Sequence, residues 1–95
     1  MAVLKANTSD GAKEKHVPVA ERNGTALKVK VGEAEHPMLA EHYIKWIIAV
    51  QEGRVQRVVL SPGVLPEAEF ILDSAEAPVV LYEYCNLHGL WTATV

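Results

Sequence analysis

The apolar residues of this chain recur every second position rather than every third or fourth. Leu27, Val29 and Val31 alternate with Lys28 and Lys30, which gives a strand with one buried and one wet face. Ile44, Trp46, Ile48 and Val50 repeat the pattern, and Ile47 and Ala49 make that strand apolar on both faces. Arg54–Leu60, Glu67–Asp73 and Pro78–Tyr84 are further short runs rich in β-branched and aromatic residues. Turn chemistry separates them at Asn23-Gly24, Gln51-Glu52-Gly53, Ser61-Pro62-Gly63 and Asp73-Ser74. With Val17–Glu21 and the tail Leu90–Val95, this predicts about seven short strands at roughly ten-residue spacing. An all-β, immunoglobulin-like antiparallel sandwich fits that rhythm best, with a partly open barrel as the alternative. No segment sustains a helical stripe for three turns. Met1 to Lys13 is polar and patternless and reads as an N-terminal arm, leaving 14–95 as a single domain.

At 95 residues the chain has room for one domain, whose core is small enough to benefit from a bound metal or from association. Nine Lys and Arg against twelve Asp and Glu give a net charge of −3, which argues against a nucleic-acid binder, and no polybasic run marks a membrane surface. An apolar strand face at Val79, Leu81 and Val95 points to a homo-oligomer. One cysteine, Cys85, excludes an internal disulfide. The run Ile47-Ile48-Ala49-Val50 falls far short of the ~20 residues of a membrane span, and the first dozen residues hold no signal-peptide block, so the expected address is the cytoplasm.

The chemistry sits in four histidines, His16, His36, His42 and His88, and in Cys85, all at strand edges or in turns. A lone His or Cys is more often structural than ligating, so the case rests on convergence. On a straight strand Cys85 and His88 would be about 10 Å apart, so they share a metal only across a turn. Asn86 tolerates left-handed dihedrals and Gly89 follows closely, which makes a turn feasible. His36 and His42 would be about 20 Å apart on a strand, and on different faces of a helix. They converge only if Pro37-Met38-Leu39-Ala40-Glu41 folds back. Four imidazoles and a thiolate suit tetrahedral zinc poorly and suit iron or copper better. With four nitrogens in a plane and sulfur on the axis, the position opposite sulfur would be open to a small oxygen species.

The segments Glu14-Lys15-His16-Val17-Pro18, His36-Pro37-Met38, Glu41-His42-Tyr43-Ile44-Lys45-Trp46-Ile47 and Cys85-Asn86-Leu87-His88-Gly89-Leu90-Trp91 together resemble the superoxide reductases, which include the neelaredoxins and the iron-centre domain of desulfoferrodoxins. The resemblance implies one non-haem iron per chain, with His16, His36, His42 and His88 equatorial and Cys85 axial. It implies that Glu14 caps the sixth position of the oxidised iron and that Lys15 assists superoxide near the open site. The implied reaction is one-electron reduction of superoxide to hydrogen peroxide, with a small donor such as rubredoxin returning the electron and a dimer or tetramer as the assembly. One cysteine cannot supply a four-cysteine desulforedoxin-type site, so the likeness is to the single-iron class. An iron-based electron carrier or redox sensor without superoxide turnover is the alternative. Asn86 and Leu87 are expected to offer backbone N–H groups to the Cys85 sulfur, and Trp46, Trp91 and Tyr43 to serve in packing.

Overall fold

The computed structural model of the chain describes residues 13–32, 34 and 36–95, with the side chains of Lys13 and Glu14 outside that description. One turn of helix, α1 (Lys13–His16), leads into seven strands: β1 (Pro18–Asn23), β2 (Ala26–Val31), β3 (Ile44–Gln51), β4 (Arg54–Val59), β5 (Glu67–Ile71), β6 (Val80–Cys85) and β7 (Gly89–Thr94). They form a three-stranded sheet in the order β1-β2-β5 and a four-stranded sheet in the order β4-β3-β6-β7. Every pairing is antiparallel. The two sheets face each other as an immunoglobulin-like sandwich rather than closing into a barrel. Of the expected arm, residues 1–12 lie outside the described residues and Lys13 already belongs to α1. A four-residue helix is too short for a 3.6-residue period to register in the sequence. Among the described residues no helix is long and apolar enough to cross a membrane.

The core lies between the sheets. Leu27, Val29 and Val31 of β2, with Ala68 and Phe70 of β5, pack against Ile47, Ala49, Leu81 and Cys85 of the larger sheet. The alternation read in β2 is realised residue for residue, with Lys28 and Lys30 turned outward. In β3 the expected phase is wrong beyond its first residue. Ile44 is buried, but Ile47, Ala49 and Gln51 then occupy the inner face while Trp46, Ile48 and Val50 are half-buried on the outer one. The cause is a β-bulge: Ile44 pairs with Cys85 and Trp46 with Tyr84, so Lys45 is an extra residue and the pleat inverts. Trp46 and Tyr84 then stack across the strands on the outer face, ring centroids 5.7 Å apart.

The face expected to drive association is also reversed. Val79 and Leu81 are fully buried in the core, and Val95 packs partly against it while pairing its backbone with Val79. The outward apolar surface is instead the other side of the same sheet, where Val55 and Val59 are 62% and 68% exposed.

Buried Gln51 closes the end of the sandwich away from the histidines. Its Nε2 donates to the carbonyls of Ser74 (2.9 Å) and Ala77 (3.0 Å), and its Oε1 accepts from the N–H groups of Asp73 and Ser74 (3.2 Å each). One side chain therefore satisfies four backbone groups of the β5–β6 connection. Gln51→Ala leaves those groups without partners and is expected to cost about 3 kcal/mol, because orphaned buried polar groups lose both the bond and their hydration. Urea unfolding of the purified variant reads this directly, and a loss below about 1 kcal/mol would mean that water replaces the side chain.

Candidate metal centre

All five sequence-predicted donors arrive at one end of the sandwich, each from a segment that a strand fixes. His16 closes α1 immediately before β1, His36 and His42 lie in the β2–β3 connection, Cys85 ends β6, and His88 sits in the turn to β7. The fold-back needed between His36 and His42 is an isolated antiparallel bridge. The Leu39 N–H donates to the His42 carbonyl (2.9 Å) and the His42 N–H to the Leu39 carbonyl (3.1 Å). In the other loop Gly89, at φ 80°, supplies the left-handed residue that the turn needs, and Asn86 does not adopt one. Asn86 instead ties the two loops together. Its Oδ1 accepts from the Tyr43 N–H (2.8 Å), its Nδ2 donates to the Glu41 carbonyl (3.1 Å), and its own N–H donates to the Tyr43 carbonyl (3.2 Å).

The four imidazoles stand in the cyclic order His16, His36, His42, His88. Neighbouring rings meet edge to face with centroids 4.7–5.0 Å apart, and His16 and His42 face each other at 6.4 Å. One ligand atom from each ring and the Cys85 sulfur all lie within 4.8 Å of one another. Nε2 of His16 is 3.1 Å from Nε2 of His36 and 3.0 Å from Nδ1 of His88, which is 3.9 Å from the sulfur. The His36 Nδ1–H donates to the Pro37 carbonyl at 2.7 Å, which leaves its Nε2 as a bare lone pair facing the other rings. Nε2 of His42 is buried with no hydrogen-bond partner. Nitrogen and sulfur donors converging in this way could hold a metal ion. Donor atoms on opposite sides of an ion with bonds near 2.0–2.3 Å would be about 4 Å apart, so the cluster has the right size.

The electrostatics keep the donors ready. Burial, aided by the neighbouring imidazoles and opposed by the Pro37 bond, lowers His36 from 6.5 to about 4, so it stays neutral at physiological pH. Burial also lowers His42, with His88 and Lys15 adding to the shift and the Glu41 carboxylate opposing it. Burial raises the Cys85 thiol, against hydrogen bonds from the backbone of His88 and Leu87, so the metal must displace its proton on binding. Of the two N–H groups expected at the sulfur, Leu87 is there. Asn86 is not, because its N–H is spent on Tyr43, and His88 takes its place.

Lys15 is exposed on the rim of an open cavity of about 500 Å³, which it lines with His36, Pro37, Met38, Gly63, Val64 and Leu65. The Glu14 side chain lies outside the described residues.

Two residues gain roles that the sequence did not suggest. Trp91, expected only to pack, stacks on His16 at 4.8 Å and donates its Nε1–H to the His88 carbonyl (3.1 Å), so one buried ring steadies two donors. Glu83, two residues before Cys85 and across from Trp91, is fully buried with both carboxyl oxygens unpartnered. Burial raises it from 4.5 to about 9, so it is a neutral acid inside the sandwich. Its position in a period-two strand was the available signal, since β6 alternates Leu81, Glu83, Cys85 on the inner face.

The profile of the family described as Desulfoferrodoxin matches residues 8–94. The desulfoferrodoxin of Nitratidesulfovibrio vulgaris is 50% identical over 93 residues, covering 98% of this chain and 72% of that one. The superoxide reductase of Pyrococcus horikoshii is 37% identical, with 88% of each chain covered. The crystal structure of the superoxide reductase from Treponema pallidum superposes with a TM-score of 0.85 at 44% identity, covering 95% of this chain and 74% of that one.

Glu83 and the histidines set opposite limbs of stability in the metal-free protein. His36 titrates near 4 folded and 6.5 unfolded, so its contribution is present above pH 6.5 and is lost as pH falls toward 4. Glu83 is protonated in the fold up to about 9 but ionised when unfolded above 4.5, so stability falls as pH rises across that window. Urea unfolding is expected to show greatest stability near pH 6.5, then a loss approaching about 1.4 kcal/mol per pH unit up to about pH 9. Glu83→Gln removes the alkaline loss. A wild-type protein equally stable at pH 6.5 and 8.5 would show that Glu83 is hydrated or paired.

Proposed function

The chain belongs to the desulfoferrodoxin family, and we propose that it is a superoxide reductase with one iron held by His16, His36, His42, His88 and Cys85. The observation that carries the reading is the convergence of four imidazole nitrogens and one sulfur within 4.8 Å, beside a cavity that Lys15 lines. Four nitrogens plus a thiolate are a donor set for a redox-active ion rather than for tetrahedral zinc. Iron, when bound there, supplies the single electron that takes superoxide to the peroxide level, and an external one-electron donor, for which a small carrier such as rubredoxin is suited, restores it.

The chain's own residues do the rest. The neutral imidazoles add no charge, and the one anionic sulfur leaves a divalent site net positive, which attracts an anion. Lys15 adds a second positive charge at the entrance. The overall charge of −3 opposes this only weakly, because charges farther than about 10 Å are screened at 0.1 M salt. Lys15, or water held by its ammonium group, is the source of protons for the product, hydrogen peroxide. Backbone N–H groups of Leu87 and His88 draw charge from the Cys85 sulfur and so moderate its donation. Glu14, on the same helical turn as Lys15, is the carboxylate we assign as the further ligand that oxidised iron would take. A reducing cytoplasm suits the single thiol. We assign self-association to the outer face of the β4-β3-β6-β7 sheet, where Val55 and Val59 flank Trp46 and Ile48.

Pulse radiolysis of the iron-loaded protein tests the assignment. One peroxide is expected per superoxide consumed, with little oxygen evolved, and the ferrous protein turns blue on oxidation through thiolate-to-iron charge transfer. Cys85→Ser abolishes that band. Lys15→Ala slows the reaction by at least about tenfold, leaves the band in place and loses most of the salt dependence. A ferrous protein that survives superoxide intact would make this an electron carrier instead.

A further inference from the structure

The end of β2 touches the metal centre at a place where no side chain is involved. Gly32 follows Val31 at φ 84°, buried, with its Cα against the backbone of α1. A Cβ at Gly32 would stand 2.5 Å from the Lys15 carbonyl oxygen and 2.7 Å from the carbonyl carbon, and would also overlap the Ala34 carbonyl oxygen. Favourable carbon contacts begin at about 3.5 Å. All three atoms are main chain, so none can swing aside as the end of a flexible side chain would. The Lys15 carbonyl carbon is bonded to the His16 nitrogen through a planar peptide, so the atoms resting on Gly32 carry His16 rigidly with them.

We propose that Gly32 is a positioning residue for the metal centre. By presenting no Cβ, it seats the Lys15–His16 peptide against the end of β2. That contact fixes where the His16 imidazole enters the donor ring and where the Lys15 side chain leaves toward the cavity. His16 is the donor with most to lose from a shift, since its Nε2 lies within 3.1 Å of nitrogens from both His36 and His88. It is also carried by the shortest element, a single helical turn with no sheet partners of its own. Trp91 supports the His16 ring from below, and Gly32 supports its backbone from the side of the smaller sheet. The part of this inference that concerns Lys15 rests on the superoxide reductase reading. The part that concerns His16 needs only a metal.

The chain contains its own control. Gly24 and Gly53 also have positive φ, 62° and 82°, but a Cβ at either meets nothing within 4 Å. Asparagine adopts left-handed dihedrals at low cost, so the same substitution at two sites separates the close approach from backbone strain. Iron-loaded Gly32→Asn and Gly24→Asn are compared with wild type by chelator competition for iron, by the position of the thiolate-to-iron absorption and by the rate with superoxide. Gly32→Asn is expected to bind iron at least about tenfold more weakly, to shift the absorption and to react at least about tenfold more slowly. Gly24→Asn should match wild type in all three. Equal behaviour of the two variants overturns the proposal. Lys15→Ala in the same series keeps the two questions apart. If it leaves the superoxide rate unchanged, the functional reading fails, while the iron affinities still decide the role of Gly32. Should Gly32→Asn not fold, Gly32→Ala takes its place. If that also fails to fold while Gly24→Asn does, the contact serves the whole fold and the positioning role is overturned.

Discussion

Gathering four imidazole nitrogens and a sulfur around one point takes polar groups out of water, a cost that a bound ion would offset. Nε2 of His16 meets ring nitrogens of His36 and His88 at 3.0–3.1 Å, where at most one nitrogen of each pair carries the proton that joins them. The rest of the molecule is arranged to hold that meeting in place. Two loops and a helical turn must be held together, and a sandwich of this size has little free energy to spare for doing so. An ion bound there would supply what the core cannot: binding energy that appears as folding stability, because no preformed site exists in the unfolded chain.

The restraint falls on backbone and on rigid rings rather than on long side chains. Asn86 stitches the His42 loop to the Cys85 loop with three hydrogen bonds. Trp91 lies flat against His16 and ties down the His88 carbonyl. Pro37 limits the backbone beside His36, whose ring is aimed by the adjacent carbonyl. Each of these costs little conformational entropy, since a proline, a buried indole and a loop amide have few rotamers to lose. Lys15, by contrast, is exposed at the rim of the open cavity.

The neutral acid at Glu83 shows how close the sandwich comes to its limit. A carboxyl group with no partner is set in the layer between Leu81 and Cys85, at a stability cost an apolar residue would avoid. At the Cys85 thiol burial is the largest influence, opposed by the backbone N–H groups of the β6–β7 turn and joined by Glu83, which also pushes it up.

The sequence by itself determined the strands, since a two-residue period broken by turn residues leaves few alternatives. It also determined the donor atoms, since residue types carry their own ligand chemistry wherever they are placed. It could state the condition for convergence at Pro37–Glu41, because bond lengths fix how far an extended segment reaches. Only the tertiary structure decided the phase of β3, because a single unpaired residue at Lys45 exchanges the two faces and leaves no mark in an apolar-on-both-sides run. The same uncertainty of face put Val79 and Leu81 outside when they belong within. Only the tertiary structure chose which N–H groups meet the sulfur, and set Gly32 beneath Lys15 and Trp91 beneath His16. Those contacts join segments as far apart as 75 positions in the chain, and their existence depends on sub-ångström packing that local patterns do not encode.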